Sequence, residues 1–242
     1  KTASADIIPS MRILAIDTAL EACSAAVIDT EHGKVAAESL PMERGHAEAL
    51  MPLLARVMQK ADMPYSALDR IGADSTEVRM PGQLDEVGGL VMPGGESTTL
   101  LKLLDAWEFV PALEKFHSAG KPIFGTCAGL ILLARDVESP AQFSLGFIDI
   151  TAERNAYGRQ KESFETVGDA DLGGGAEPLK MVFIRAPRIR RLGADVTPLA
   201  RHRDECVMAR QGTVLVASFH PELTDESKVH QYFAVMVDAS RS

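Results

Sequence analysis

Phe124-Gly-Thr-Cys127-Ala-Gly-Leu-Ile-Leu-Leu-Ala134 runs from an apolar strand, Pro122 to Gly125, into an apolar helix, Ala128 to Arg135. Gly125 and Gly129 flank the single cysteine of the turn and permit a tight bend with close backbone approach. A strand–turn–helix of this kind is a nucleophile elbow, here with Cys in place of Ser. It lifts the sulfur above a sheet and sets it at a helix N-terminus, whose partial positive charge favours a thiolate. A free cysteine is also a common inert core residue. The flanking glycines and the strand-to-helix setting select Cys127 as the nucleophile.

A thiolate needs a proton shuttle. Ser218-Phe219-His220-Pro221-Glu222 closes another apolar strand, so His220 is placed to act as general base and acid. Glu222, two residues on, can hold the imidazole tautomer. The other five histidines, His32, His46, His117, His202 and His230, read as turn or helix-surface residues. The oxyanion of a tetrahedral intermediate needs donors. The backbone N–H groups of Ala128 and Gly95 are the candidates, because Gly94-Gly95 lies at the end of a strand spanning Gly89 to Met92.

Working outward, Thr98 to Trp107 and Val110 to Ser118 read as helices, and Phe143 to Ile150, Met181 to Arg185 and Val214 to Phe219 as strands. This alternation implies an α/β fold with a mostly parallel sheet, and ligands there bind at the carboxyl ends of strands. Asp169 to Glu177, with three consecutive glycines, reads as a mobile surface loop, because it lacks the strand-to-helix setting of a phosphate loop. Before these elements, Met11 to Asp17, Cys23 to Asp29 and Lys34 to Leu40 read as strands, and His46 to Lys60 as an amphipathic helix. Residues 1–10 read as a leader or a cloning remnant, with a junction near 73–76.

The net charge of −9 argues against a broad nucleic-acid or membrane surface. Arg185-Ala-Pro-Arg188-Ile-Arg190-Arg191 is a local basic exception. Three cysteines without CxxC spacing imply no disulfide framework or metal site, and fit a reducing cytoplasm.

Six stretches resemble one family, the glutaminase subunit of pyridoxal 5′-phosphate synthase, a class I glutamine amidotransferase. They are Pro93-Gly-Gly-Glu-Ser-Thr-Thr99, the elbow, Glu153-Arg-Asn-Ala-Tyr-Gly-Arg-Gln160, Glu162-Ser-Phe-Glu165, Phe183-Ile-Arg-Ala-Pro187 and Ser218-Phe-His-Pro-Glu-Leu-Thr224. The resemblance spans about residues 76–236. It implies a flavodoxin-like three-layer sandwich over 76–242 and a Cys127–His220–Glu222 triad that releases ammonia from L-glutamine by way of a glutamyl thioester. It also implies glutamine binding by Gly94, Gly95, Glu96, Ser97, Arg154, Ile184 and Arg185, with no cofactor. The implied partner is a (β/α)₈-barrel synthase subunit that receives the ammonia.

The family's opening strand and Leu-Gln-Gly loop, whose glutamine helps complete the oxyanion site, have no counterpart here. Residues 11–75 resemble instead the start of the TsaB-type protein of tRNA threonylcarbamoylation, through Met11-Arg-Ile-Leu-Ala-Ile-Asp-Thr-Ala19, Cys23-Ser-Ala-Ala-Val27 and Glu43-Arg-Gly-His-Ala-Glu-Ala-Leu-Met-Pro52. The chain therefore reads as a chimera. In that reading the strand Met11 to Asp17 and the helix His46 to Lys60 replace the missing first strand and helix. Loss of one oxyanion donor costs about 10²–10³ in rate, so weak or absent turnover is expected. Two alternatives stand beside the glutaminase: an amidotransferase-fold scaffold protein, and a tRNA-modification partner acting through residues 11–73.

Overall fold

A computed structural model describes residues 12–17, 22–29, 34–41, 76, 78–154, 163–224 and 226–241. The chain divides after Glu77 into two compact units.

In the first unit, β1 (Arg12–Asp17), β2 (Ala22–Asp29) and β3 (Lys34–Pro41) form an antiparallel meander. All three predicted strands form. They make a sheet of their own: β1 pairs with β2 from Arg12↔Asp29 to Asp17↔Ser24. The expectation that Met11 to Asp17 takes the place of a missing strand in the main sheet is therefore not met among the described residues. The predicted helix His46 to Lys60 lies outside them.

The second unit is built on a seven-stranded sheet in the order β4-β5-β13-β12-β11-β8-β9. Its strands are β4 (Leu90–Met92), β5 (Ile123–Thr126), β8 (Phe164–Asp171), β9 (Ala176–Phe183), β11 (Thr197–His202), β12 (Glu205–Gln211) and β13 (Val214–Ala217). Only β4–β5 and β5–β13 pair in parallel. The other four pairings are antiparallel, so the sheet is mixed rather than mostly parallel. The reason lies in the connections. Gly212-Thr213 joins β12 to β13, and residues 172–175 join β8 to β9; loops this short return the chain antiparallel. The predicted glycine-rich loop is the tip of that second hairpin, where Asp171 accepts bonds from the N–H groups of Gly173 and Gly175.

β5 and β13 are buried along their whole length, which explains their uninterrupted apolar sequence. Ile123, Val214 and Val216 face one core, with Leu113, Leu130 and Ile148. Phe124, Leu215 and Ala217 face the other, with Phe183, Phe219 and Phe233. Four helices serve these faces: α1 (Ser97–Ala106), α2 (Phe109–Ser118), α3 (Ala128–Leu133) and α4 (Lys228–Ala239). Helix α4 covers the second core through Val229, Phe233 and Met236.

A second sheet, β10-β7-β6, comprises β6 (Ala134–Glu138), β7 (Ile148–Glu153) and β10 (Arg188–Leu192). Three arginines of the basic run, Arg188, Arg190 and Arg191, lie on β10 and are paired there. Arg188 meets Glu205 at 3.3 Å, Arg190 meets Glu153 at 2.5 Å, and Arg191 bonds Asp149. The expected basic patch is thus a cross-strand ion-pair lattice. His117 and His202 also depart from the surface reading: His117 stacks on Phe147 at 4.2 Å, and His202 packs against Phe164 and Phe183.

Candidate active site

The parallel strands β4, β5 and β13 end side by side, and the chain leaves each toward the same edge. From β5 it passes through Cys127 into α3. Cys127 has φ 49° and ψ −101°, a left-handed conformation unfavourable for a residue with a side chain. Its N–H donates to the Ala217 carbonyl of β13 at 2.8 Å, and its carbonyl accepts from Ile131 at 3.3 Å. These bonds hold the strained turn in place. The N–H groups of Ala128, Gly129 and Leu130 precede that first intrahelical bond, as at any helix start. A Cβ on Gly129 would overlap the Met92 carbonyl, so the elbow needs glycine to pass beneath β4.

From β13 the chain runs through Ser218 and Phe219 to His220. The His220 N–H donates to the Val182 carbonyl at 2.8 Å, which ties the turn to β9. His220 Nδ1 lies 2.7 Å from Glu222 Oε1. The His220 side chain is 11% exposed, and that of Glu222 43%. Burial alone would lower the imidazole pKa. The hydrogen bonds and charges of Cys127 and Glu222 outweigh it and raise the pKa to about 9. These contacts favour the protonated imidazole, beside the carboxylate and the elbow cysteine. The Cys127 Sγ also lies 3.9 Å from the Ile184 carbonyl.

From β4 the chain passes through Pro93 to Ser97 into α1. Gly94 lies against His220 and Cys127: a Cβ there would overlap His220 Cε1 and come within 3.4 Å of Cys127 Cβ. Gly95 has φ 142°. Glu96 and Ser97 are engaged elsewhere. The Glu96 carboxylate caps α1, accepting from the N–H of Thr98 at 3.2 Å and of Thr99 at 2.7 Å. Burial pushes its pKa up, but the bonds from Thr98 and Thr99 outweigh this and lower it to about 2. Arg154, at the end of β7 and only 12% exposed, lies 3.6 Å from Glu96 Oε1. Ser97 is 4% exposed, and its hydroxyl donates to Gln142 Oε1 at 3.0 Å. Gln142 went unnoticed in the sequence, because a lone glutamine in a loop carries no pattern. Arg185, at φ 44°, follows Ile184 in the turn beyond β9.

The structure thus brings together Cys127, His220, Glu222, Gly94 and the Ile184 carbonyl. Arg154 joins them through the Glu96 side of the loop. An elbow cysteine beside a carboxylate-paired imidazole is an arrangement that can support acyl transfer. Among the described residues, no group of three or more His, Cys, Asp or Glu is placed to hold a metal ion.

The SNO glutamine amidotransferase family model matches residues 59–239. The chain belongs to that family. The match begins earlier than the expected boundary near residue 76. Pyridoxal 5′-phosphate synthase subunit PdxT of Brevibacillus brevis is 48% identical over 72% of this chain and 91% of its own length. The protein of that name from Desulforamulus reducens is 49% identical over 71% and 90%. A crystal structure described as a glutamine amidotransferase superposes with TM-score 0.66 at 44% identity, over 72% of this chain and 91% of its own.

Proposed function

We propose that this protein releases ammonia from L-glutamine for pyridoxal 5′-phosphate synthesis, through the Cys127–His220–Glu222 triad. The observation that carries the reading is His220, 2.7 Å from the Glu222 carboxylate on one side and, across Gly94, beside the elbow cysteine Cys127 on the other. Cys127 Sγ attacks the carboxamide carbon, and the oxyanion takes the N–H groups of Ala128 and Gly95. His220 passes its proton to the leaving nitrogen, so that ammonia departs and a glutamyl thioester remains. Water then gives a proton back to His220 and attacks the thioester, freeing glutamate and the thiol. Arg154 binds the substrate α-carboxylate, a task suited to a guanidinium. The Ile184–Arg185 turn and the Gly94–Ser97 loop line the rest of the pocket. The names of the relatives support another subunit of a pyridoxal 5′-phosphate synthase as the acceptor of the ammonia; that this subunit is a (β/α)₈ barrel is what the sequence resemblance implies.

Of residues 11–75, the part ahead of residue 59, where the amidotransferase match begins, is in this proposal a TsaB-like segment. The β1–β2–β3 meander and the three stretches that resemble the TsaB-type start support it. The absent Leu-Gln-Gly segment favours a second reading of the same site, a scaffold with impaired turnover.

The test is ammonia release from glutamine, with and without the synthase subunit. Release is expected with the subunit present, and Cys127→Ala should cut it at least about 10⁴-fold. Equal release by wild type and Cys127→Ala would refute the nucleophile. Release at the full rate of a family member would refute the scaffold reading.

A further inference from the structure

Glu96 and Ser97, adjacent residues of the substrate loop, each take a partner from one neighbouring unit. That unit is β6, the loop of residues 139–147, and β7. Arg154 follows β7 and meets Glu96, while Gln142 in the loop meets Ser97. The same loop is fastened to the nucleophile's helix. The Leu145 N–H donates to the Leu132 carbonyl at 2.7 Å, and the Gly146 N–H to the Ala134 carbonyl at 3.1 Å. Residues 139–147 therefore form a strap, with one end on the C-terminus of α3 and its middle on the buried Ser97 hydroxyl. Cys127 stands at the other end of α3, six residues long. The Gln142 Oε1 is the acceptor that couples the two.

We propose that Gln142 is a positioning residue for glutamine binding. Its carboxamide oxygen fixes Ser97, and through Ser97 the loop backbone at Gly95 and at Gly94, which faces His220 and Cys127. This rests on the function proposed above. The bond is made to a hydroxyl inside the fold, where a lost acceptor leaves the donor unsatisfied rather than hydrated. Gln142 touches neither the sulfur nor the imidazole. Its loss should therefore loosen substrate capture and leave the nucleophile's own reactivity alone.

The test uses covalent labelling of Cys127, which needs no turnover. The full-length protein is titrated with a glutamine-like diazoketone, and adduct formation is followed by mass spectrometry. This yields a half-saturating concentration and a maximal rate. Iodoacetamide, which has no glutamine shape, reports the thiol alone. Gln142→Met keeps the size and removes the acceptor; Gln142→Glu keeps an acceptor. Gln142→Met should raise the half-saturating concentration about three- to tenfold, the loss of one hydrogen bond, with the maximal rate and iodoacetamide rate unchanged. Gln142→Glu should recover part of that loss. Ser97→Ala should show the same rise, and the double variant Ser97→Ala/Gln142→Met no more than either single change. A half-saturating concentration within twofold of wild type in Gln142→Met would overturn the proposal. So would additive effects in the double variant, or an equal fall in iodoacetamide labelling, which marks a general loss of structure. Wild type that reacts with iodoacetamide but does not saturate with the diazoketone would instead refute the glutamine site itself.

Discussion

Cys127 and Glu96 occupy equivalent places, each the residue before a helix that follows a parallel strand, and they use those places in opposite ways. Glu96 has an extended backbone, φ −94° and ψ 113°, and bends its carboxylate onto the N–H groups of Thr98 and Thr99. The start of α1 is thereby satisfied from within. Cys127 is held in a left-handed turn, and its side chain makes no capping bond. The start of α3 keeps its donors for something else, and the sulfur turns instead toward the Ile184 carbonyl. One helix start is a structural joint and the other a chemical one. The difference lies in a backbone angle and in which side chain sits there. It predicts that changes on the Cys127 side act on rate, and changes on the Glu96 side act on binding and stability.

The largest effect that can break this division is expected from Glu222→Gln. The carboxylate orients the imidazole and helps to raise its pKa, so activity should fall roughly 10²–10⁴-fold. The pH dependence follows the same logic. The folded pKa of about 9 lies above the ordinary imidazole value of 6.5, so the stabilisation is complete below pH 6.5 and is lost as pH rises through about 9. In Glu222→Gln the imidazole should titrate lower by NMR, and the loss of stability between pH 6.5 and 9 should shrink. An unchanged titration midpoint would show that Glu222, 43% exposed, contributes little.

A change on the other side comes next. Arg154→Met should raise KM for glutamine about 10–100-fold, the cost of a lost charged hydrogen bond, and change kcat far less. A loss confined to kcat would erase the division between the two sides.

The legibility of the sequence follows the same line. The elbow, the His-Pro-Glu run and the buried strands could be read because each places residue types where backbone geometry demands them: glycine at close approaches, apolar residues on both faces of β5 and β13. The antiparallel half of the sheet was misjudged. The strand–helix alternation before it is strong, whereas β8, β11 and β12 carry mixed polar sequence that shows no single period. The helix expected at Ala128 to Arg135 stops at Leu133, and Ala134 opens β6, because six consecutive buried residues leave helix and strand indistinguishable by pattern. The tasks of Glu96 and Ser97 were hidden for another reason. Their partners, Arg154 and Gln142, lie far along the chain, and only the fold brings them together.

The smallest expected effect tests the joint itself. Glu96 has its pKa lowered from 4.5 to about 2, so its stabilising contribution is present above pH 4.5 and is lost as pH falls through about 2. The side chain is 48% exposed, and solvent screening limits the gain to under about 1 kcal/mol. Glu96→Gln retains an oxygen to accept from Thr98 and Thr99 but gives up the charge that favours a helix N-terminus. Urea unfolding at pH 7 should therefore show the variant slightly less stable. The difference should narrow at pH 3 and vanish near pH 2. Other carboxylates titrate in both proteins and cancel in the difference, so a gap that stays constant from pH 7 to 2 would mean that the charge on Glu96 plays no part in capping α1.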